Sequence, residues 1–132
     1  MRKKILVVDD NADVVELISL NLKQAGYSIG TASNGVDALK KARSLRPDLI
    51  VLDVMMSELD GFAVCEILRR DPATAATPIM MLTALSSELG RLAGLGSGAS
   101  DFVTKPFSPR VLKQRIEGLL QKTSNIPQTA AD

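Results

Sequence analysis

The sequence predicts an α/β protein with one doubly wound parallel sheet of five strands and five helices. Short apolar runs alternate with longer segments in which apolar residues recur every three or four positions, as in strands followed by helices. Strict strand–helix alternation with short connections produces parallel strands, right-handed crossovers and helices on both faces. The central strand is the run at 48–53, four branched apolar residues with an aspartate at each end. An unbroken apolar run of this kind suits a strand that is covered on both faces.

The first half of the chain follows this alternation closely. A first strand is predicted at 4–8, and a helix follows that ends at Gly26, a residue type common just past helix ends. The apolar stripe of this helix is Val14, Leu17, Ile18, Leu22 and Ala25. A weaker strand at 27–31 contains Gly30, which an edge strand tolerates. The second helix ends before Pro47 and leads into the central strand.

The second half repeats the pattern. A loop at 54–61 leads to a third helix at 62–70, and Pro78 introduces a fourth buried strand at 79–82. A fourth helix is predicted at 86–95, where interior glycines each cost about 1 kcal/mol against alanine. A fifth strand follows at 100–104. The last helix opens with a serine cap and a first-turn proline, and its stripe is Leu112, Ile116, Leu119 and Leu120.

Composition limits the kinds of function. The chain has 132 residues, a net charge of +1, 45% hydrophobic and 23% charged residues, as expected of one globular domain. The balanced charge argues against direct nucleic-acid binding. One cysteine and no histidine exclude an intramolecular disulfide, a His/Cys zinc site and a histidine general base. No run spans a membrane, and a cytoplasmic location is expected. The domain is predicted at 1–121, with a polar tail or linker at 122–132.

Four of the five predicted strands place a polar side chain at their carboxyl ends. Asp9 and Asp10 follow the first strand, and Asp53 ends the third. Thr83 ends the fourth strand and Lys105 follows the fifth. In an open parallel sheet these ends lie at one edge, where ligands bind. Three carboxylates contribute −3 and the lysine +1, so one divalent cation would balance the remaining −2. Oxygen-only ligands at a half-open site favour Mg²⁺.

With such a metal, Asp53 is the candidate nucleophile for an aspartyl phosphate, held by Thr83 and Lys105. Each residue alone also has an ordinary structural interpretation. Asp10 would cap the first helix, with Asp13 three residues on. Asp53 would start a turn, Thr83 would end a strand, and Lys105 would be a solvated surface lysine. The chemistry is indicated only by the residues taken together.

Several motifs closely resemble the receiver domain of bacterial two-component response regulators, over residues 1 to 121. They are Ile5-Leu6-Val7-Val8-Asp9-Asp10, Pro47-Asp48-Leu49-Ile50-Val51-Leu52-Asp53-Val54-Met55-Met56, Asp60-Gly61-Phe62, Leu82-Thr83-Ala84 and Gly98-Ala99-Ser100-Asp101-Phe102-Val103-Thr104-Lys105-Pro106-Phe107. The resemblance implies a flavodoxin-like (βα)5 fold with strand order 2-1-3-4-5. It also implies a phosphorylation-controlled signalling switch.

The resemblance assigns roles to the polar residues. Asp53 would accept a phosphoryl group from a phosphohistidine on a sensor histidine kinase or phosphotransfer protein. Asp9, Asp10 and Asp53 would hold Mg²⁺, with the backbone carbonyl of Met55 as a further ligand. The protein would not be a conventional enzyme, because it would catalyse only its own phosphorylation and dephosphorylation.

The resemblance also implies how the signal leaves the site. Lys105 and Thr83 would contact the phosphoryl oxygens, and Thr83 would move inward on phosphorylation. Phe102 would swing from outside to inside, remodelling the face made by the fourth helix, fifth strand and fifth helix. That face would regulate an output domain or a downstream protein. The Lys105-Pro106 peptide bond would be cis, which the base rate of about 5–6% would not suggest.

Two departures from the family pattern stand out. The first is Ser57, which stands after the paired methionines where the family commonly has proline. Without the fixed φ of proline the unfolded chain has more freedom, which lowers the stability by about 0.4–1 kcal/mol. A phosphorylation-dependent homodimer through ion pairs on the switch face would need both acids and bases. The bases are Arg91, Arg115 and Lys122, whereas Gly96, Ser97, Ser100 and Val111 stand where acids are expected.

Three other interpretations compete with the receiver. A phosphatase of the haloacid-dehalogenase type would need a second aspartate two residues after the nucleophile, where this chain has Met55. A flavodoxin-like FMN binder needs a phosphate-cradling loop after the first strand, where Asp9 and Asp10 would repel phosphate. A pseudo-receiver that serves only as a docking module would not need Asp53, Thr83 and Lys105, all of which are present.

Overall fold

The computed structural model of the chain describes residues 2–84 and 96–124, and the side chains of all of these except the last two. The helix predicted at 86–95 lies outside the described residues. Within them, five parallel strands form one sheet in the order 2-1-3-4-5, which confirms the predicted topology. No helix in this described part is long and apolar enough to cross a membrane.

The element boundaries agree closely with the prediction. The strands are β1 (Lys4–Val8), β2 (Ser28–Ala32), β3 (Leu49–Asp53), β4 (Ile79–Thr83) and β5 (Asp101–Thr104). The helices in the described ranges are α1 (Ala12–Gln24), α2 (Gly35–Leu45), α3 (Gly61–Arg70) and α4 (Pro109–Ser124). Helix α4 is the last predicted helix, and it continues through Gln121 and Lys122, both good helix formers. The domain boundary at 121 stays a prediction.

The sheet is covered on both faces, as double winding requires. One layer contains α2 and α3 against Leu6, Val8, Ile50, Leu52, Ile79 and Met81. The other contains α1 and α4 against Ile5, Val7, Leu49, Val51, Met80, Leu82 and Val103. Successive strand residues point to opposite faces, so each central strand contributes to both cores. All five residues of β3 are buried, as its unbroken apolar run predicts.

Helix α1 differs from the prediction in two details. Asn11 is its N-cap, and its side chain accepts hydrogen bonds from the backbone N–H groups of Asp13 and Val14 at 3.0 and 3.3 Å. The ordinary structural interpretation, in which Asp10 caps this helix, is therefore wrong, because the helix begins one residue later. Leu17 is 45% exposed, since the buried stripe is narrower than predicted.

Candidate functional site

The carboxyl ends of four strands bring the predicted site residues to one edge of the sheet. Asp9 follows β1 directly, Asp53 is the last residue of β3 and Thr83 the last of β4. Lys105 follows β5. The register of β3 with β4 places Asp53 beside Leu82, and the backbone N–H of Lys105 donates to the Thr83 carbonyl at 2.7 Å. The topology therefore produces the convergence that the sequence predicts.

Lys105 joins two buried carboxylates. Its Nζ lies 3.0 Å from Asp9 Oδ2 and 3.1 Å from Asp53 Oδ1. The side chains of Asp9 and Asp53 are 1% and 3% exposed, and that of Lys105 is 26% exposed. One cation therefore links the ends of β1, β3 and β5 in a setting that water screens poorly. Lys105 is not the solvated lysine of the ordinary interpretation.

The surroundings of Asp53 oppose its ionisation on balance. Burial raises the pKa of Asp53 and the charge of Asp9 raises it further, while Lys105 and the backbone N–H of Met55 lower it by a smaller amount. That N–H lies 3.4 Å from Asp53 Oδ1. Burial lowers the pKa of Lys105, but hydrogen bonds and charges from Asp9 and Asp53 raise it above its ordinary value. Lys105 is therefore cationic at neutral pH.

Asp10 adds a third carboxylate from an exposed position. One oxygen from each of Asp9, Asp10 and Asp53 lies within 4.8 Å of the others. Ligands on opposite sides of an octahedral Mg²⁺ are about 4.2 Å apart, since each bond is about 2.1 Å. Three carboxylate oxygens at this spacing fit one hard divalent cation after small rotations of the side chains. The carbonyl ligand expected from Met55 stays a prediction.

The two predicted switch residues lie on the adjacent strands β4 and β5 in different settings. Thr83 is 4% exposed at the end of β4. Phe102 is half-buried in β5 and packs against the core layer that contains α2 and α3. The Lys105-Pro106 peptide bond is cis, as the resemblance implied. The movements assigned to Thr83 and Phe102 stay predictions.

Two supporting contacts were not foreseen from the sequence. The backbone N–H of Asn11 donates to Asp9 Oδ1 at 3.0 Å, which orients that carboxylate. Gly61 begins α3 against the end of β3, and a Cβ there would collide with the Asp53 carbonyl and lie 2.8 Å from Val54 Cα. The motif Asp60-Gly61-Phe62 contained the signal for this close approach, but no role was drawn from it.

The face of β5 and α4 carries an ion pair within the chain. Arg115 Nη1 lies 3.1 Å from Asp101 Oδ1 and 3.4 Å from the Phe102 carbonyl. The sequence reasoning counted Arg115 as one half of a pair between subunits and overlooked Asp101. Oligomerisation itself stays a prediction, but a dimer that pairs Arg115 with an acid of its partner would compete with this internal pair.

Comparisons with known proteins agree with the geometry. A family model described as "Response regulator receiver domain" matches residues 5–117. The chain is 50% identical over 123 residues to the alkaline phosphatase synthesis transcriptional regulatory protein PhoP of Bacillus subtilis, covering 93% of this chain and 50% of the relative. It is 44% identical over 127 residues to the DNA-binding dual master transcriptional regulator RpaA of Synechocystis, covering 96% and 53%. The chain thus spans about half the length of these curated relatives.

Solved structures show the same fold. Chemotaxis protein CheY4 of Vibrio cholerae superposes with a TM-score of 0.85 and 35% identity, covering 89% of this chain and 98% of that one. DrrB, an OmpR/PhoB homolog of Thermotoga maritima, gives a TM-score of 0.83 and 33% identity, with coverage of 93% and 54%. These findings favour a receiver over a phosphatase of the haloacid-dehalogenase type. The chain belongs to the response regulator receiver domains of two-component signalling.

Proposed function

We propose that Asp53 is the phosphoacceptor of this receiver domain and that its phosphorylation switches the face formed around β5 and α4. The observation that carries the proposal is the position of Asp53. Its carboxylate is buried at the end of the central strand, 3.1 Å from the Lys105 ammonium and within 4.8 Å of oxygens of Asp9 and Asp10. A nucleophile, a fixed cation and two further metal-binding oxygens are the parts that phosphoryl transfer to a carboxylate requires.

In the transfer, a P–O bond to Asp53 replaces the P–N bond of the donor. An oxygen of Asp53 attacks phosphorus, the P–N bond of the donor phosphohistidine breaks, and the imidazole nitrogen leaves with the electron pair. Mg²⁺ would neutralise the transferring oxygens when held by Asp9, Asp10, Asp53 and the Met55 carbonyl. Lys105 contributes a fixed positive charge that needs no rearrangement during the reaction. The Thr83 hydroxyl donates a hydrogen bond to a phosphoryl oxygen.

Phosphorylation also changes what Lys105 and Thr83 bind. A phosphoryl group on Asp53 adds negative charge and acceptor oxygens, so the Lys105 contact moves from the carboxylate to the phosphoryl group. Thr83 is drawn in, and Phe102 fills the space behind it. To move an equilibrium from 1:99 to 99:1, the two states must differ by about 5.5 kcal/mol in interaction with the phosphoryl group.

The partners follow from this role. We propose a sensor histidine kinase or phosphotransfer protein as the donor and an output domain or downstream protein as the target. RpaA is described as DNA-binding, and this chain spans 53% of it. The region 122–132 would then be the start of a linker to an output domain. Direct nucleic-acid and membrane contacts by 1–121 are not expected, and the cytoplasmic location stays a prediction.

Acetyl phosphate with Mg²⁺ tests the phosphoacceptor directly. The intact mass of the protein should rise by one phosphoryl group, and this adduct should be absent from Asp53→Asn. Asp48→Asn is the matched control, because Asp48 lies at the opposite end of the same strand and should still permit the adduct. Removal of divalent cations with a chelator should suppress the adduct in the unsubstituted protein. An adduct that persists in Asp53→Asn would contradict the proposal.

A further inference from the structure

A second concave region lies over the edge of the sheet at β2 and adjoins the carboxylate cluster, since Asp9 and Asp10 are among its lining residues. Its volume is about 590 Å³, within the range of about 300–1,000 Å³ common for small-molecule sites. One side of α1, the end of β2 and the start of α2 line it. The cavity contains side chains to which the phosphorylation site assigns no role.

Ser19 is an unusual residue in the wall of this cavity. It is 8% exposed, and its Oγ has no hydrogen-bond partner among the described residues. It sits in the buried stripe of α1 beside Ile18 and one turn before Leu22, where an alanine would fill the space without a polar atom. Buried hydroxyl groups nearly always have a partner. A polar group of a ligand in the cavity would therefore give Ser19 Oγ the hydrogen-bond partner that it lacks among the described residues.

The charges around the cavity indicate which polar group fits. Asp37 and Lys41 form an ion pair of 3.2 Å, and the Lys41 ammonium also donates to the Thr31 carbonyl at 2.5 Å. These two side chains therefore neutralise each other. Glu16 also lines the cavity and has no ion pair in the described part of the chain. It precedes Ser19 by three positions, so the two side chains are neighbours on α1.

The cavity is negative at one end and positive at the other. Asp10 and Glu16 line the end near the carboxylate cluster, and Lys23 lines the far end. Lys23 follows Glu16 by seven residues, which is about 10 Å along the helix axis. Val15 and Leu20 add apolar surface between these ends. A ligand with one positive group and a short apolar body matches this arrangement, whereas a second positive group would approach Lys23.

We propose that this cavity is a binding site for a small organic monocation with an apolar body. The ammonium or guanidinium group donates to the Glu16 carboxylate and to Ser19 Oγ, and Asp10 adds attraction at the same end. The apolar body lies along Val15 and Leu20. The site shares Asp10 with the predicted metal site and differs from it in its use of Glu16 and Ser19.

Titration of the full chain with benzylamine, followed by ¹H–¹⁵N correlation spectra without divalent cations, tests the proposal. An eight-atom ligand of ordinary efficiency has a Kd of about 1 mM. Saturable shifts are expected at the amides of Ser19 and Thr31. Glu16→Gln and Ser19→Ala should each weaken binding about tenfold or more, as loss of a hydrogen bond to a charged group does. Glu66→Gln, an exposed substitution on α3 outside the cavity, should leave the affinity unchanged.

Benzyl alcohol and benzoate are the matched probes without a positive charge, and both should bind at least tenfold more weakly. Saturable binding of either one with the affinity of benzylamine would overturn the assignment of a cation. Shifts that centre on Asp53 rather than Ser19 would place the amine in the carboxylate cluster and overturn the site. Absence of saturable shifts up to about 10 mM, well above the expected Kd, would mean that the cavity holds water only.

Discussion

Strand β3 has an aspartate at each end, and the two carboxylates have opposite surroundings. Asp48, just before the strand, is partly exposed and accepts a hydrogen bond of 2.7 Å from the backbone N–H of Lys4. Asp53, the last residue of the strand, is 2% exposed and lies beside Asp9. Asp48 therefore satisfies a backbone donor at the start of β1, whereas Asp53 is held where its own charge is disfavoured.

The topology explains this difference. Parallel strands bring all their carboxyl ends to one edge, so a polar residue after each strand meets the polar residues after the others. Asp53 thereby gains Asp9 and Lys105 as neighbours, although they are far away in sequence. At the amino end of β3, the chain arrives from α2, and Asp48 forms two hydrogen bonds with Lys4 of the neighbouring strand. The reactivity proposed for Asp53 therefore depends on the residues that neighbouring strands bring beside it, rather than on the sequence of β3 itself.

Replacement of Lys105 should have the largest effect on stability. Lys105→Met leaves Asp9 and Asp53 close together without their cation, and both carboxylates are buried. Removing one partner of a buried ion pair costs about 3–5 kcal/mol, and we expect about 3 kcal/mol because Lys105 is partly exposed. Urea denaturation with a chelator present measures this free energy of unfolding.

The opposite end of the strand provides the control for that substitution. The Lys4 ammonium donates to the Leu45 carbonyl at 3.2 Å, while the backbone N–H of Lys4 donates to the Asp48 carboxylate. Lys4→Met keeps that backbone contact and should cost less than about 1 kcal/mol. Equal losses of unfolding free energy for Lys105→Met and Lys4→Met would show that the carboxylates at the two ends of β3 need a lysine ammonium equally.

Gly61 tests how closely the carboxyl end is packed. A Cβ at this position collides with the Asp53 carbonyl and lies 2.8 Å from Val54 Cα, both of them backbone atoms that yield little. Gly61→Ala should therefore destabilise the protein by about 2 kcal/mol, as overpacking does. Gly118→Ala is the matched control in α4, where nothing lies within 4 Å, and it should stabilise by about 0.5–1 kcal/mol. Thermal unfolding compares them, and a stabilising Gly61→Ala would contradict the close approach.

Much of this comparison was predictable because hydrophobic burial and parallel topology act over whole elements. The apolar run of β3 and the short connections predicted a central parallel strand, and the chemistry-bearing residues Asp53 and Lys105 followed from their places after strands. Strand order required the family resemblance, since spacing along the chain does not say which strands pair. The burial of Asp9 also required coordinates, because Asp9 and Asp10 are identical in type and adjacent in sequence.

Details that depend on a single residue's direction could not be predicted. Asp10 and Asn11 are both good capping residues, and only the backbone at the start of α1 decides that Asn11 caps. The internal pair of Arg115 with Asp101 depends on how α4 lies against β5. Ser19 gave no signal, because a small residue in an amphipathic stripe is usually a simple space filler.

Neutralising the two aspartates should change stability in opposite directions. Asp48→Ala removes the acceptor for the Lys4 N–H and should cost about 1 kcal/mol. Asp53→Asn should stabilise the protein near neutral pH, because burial and Asp9 raise the pKa of Asp53 in the folded state. Free energies of unfolding from urea denaturation with a chelator check both signs.

The pH dependence gives an independent check of Asp53. An aspartate has a pKa of about 3.9 in the unfolded chain, and the pKa of folded Asp53 is higher. The protonated carboxyl therefore supports folding below about pH 4, and this contribution is lost as the pH rises through the folded value. The free energy of unfolding of Asp53→Asn should exceed that of the unsubstituted protein by an amount that grows from about pH 4 upward and then levels off. An advantage that shrinks over this range would contradict the raised pKa.

The smallest expected effect concerns the loop after Asp53. The amino end of β3 has Pro47 directly before Asp48, whereas the loop after Asp53 has Ser57, an exposed residue whose N–H donates no hydrogen bond within the described residues. Ser57→Pro removes no such bond and restricts the unfolded chain, so it should stabilise by about 0.4–1 kcal/mol. Thermal unfolding measures the gain, and Ser44→Pro inside α2 is the opposing control, expected to cost about 3 kcal/mol. A loss of stability in Ser57→Pro would mean that this loop requires a backbone conformation that proline cannot adopt.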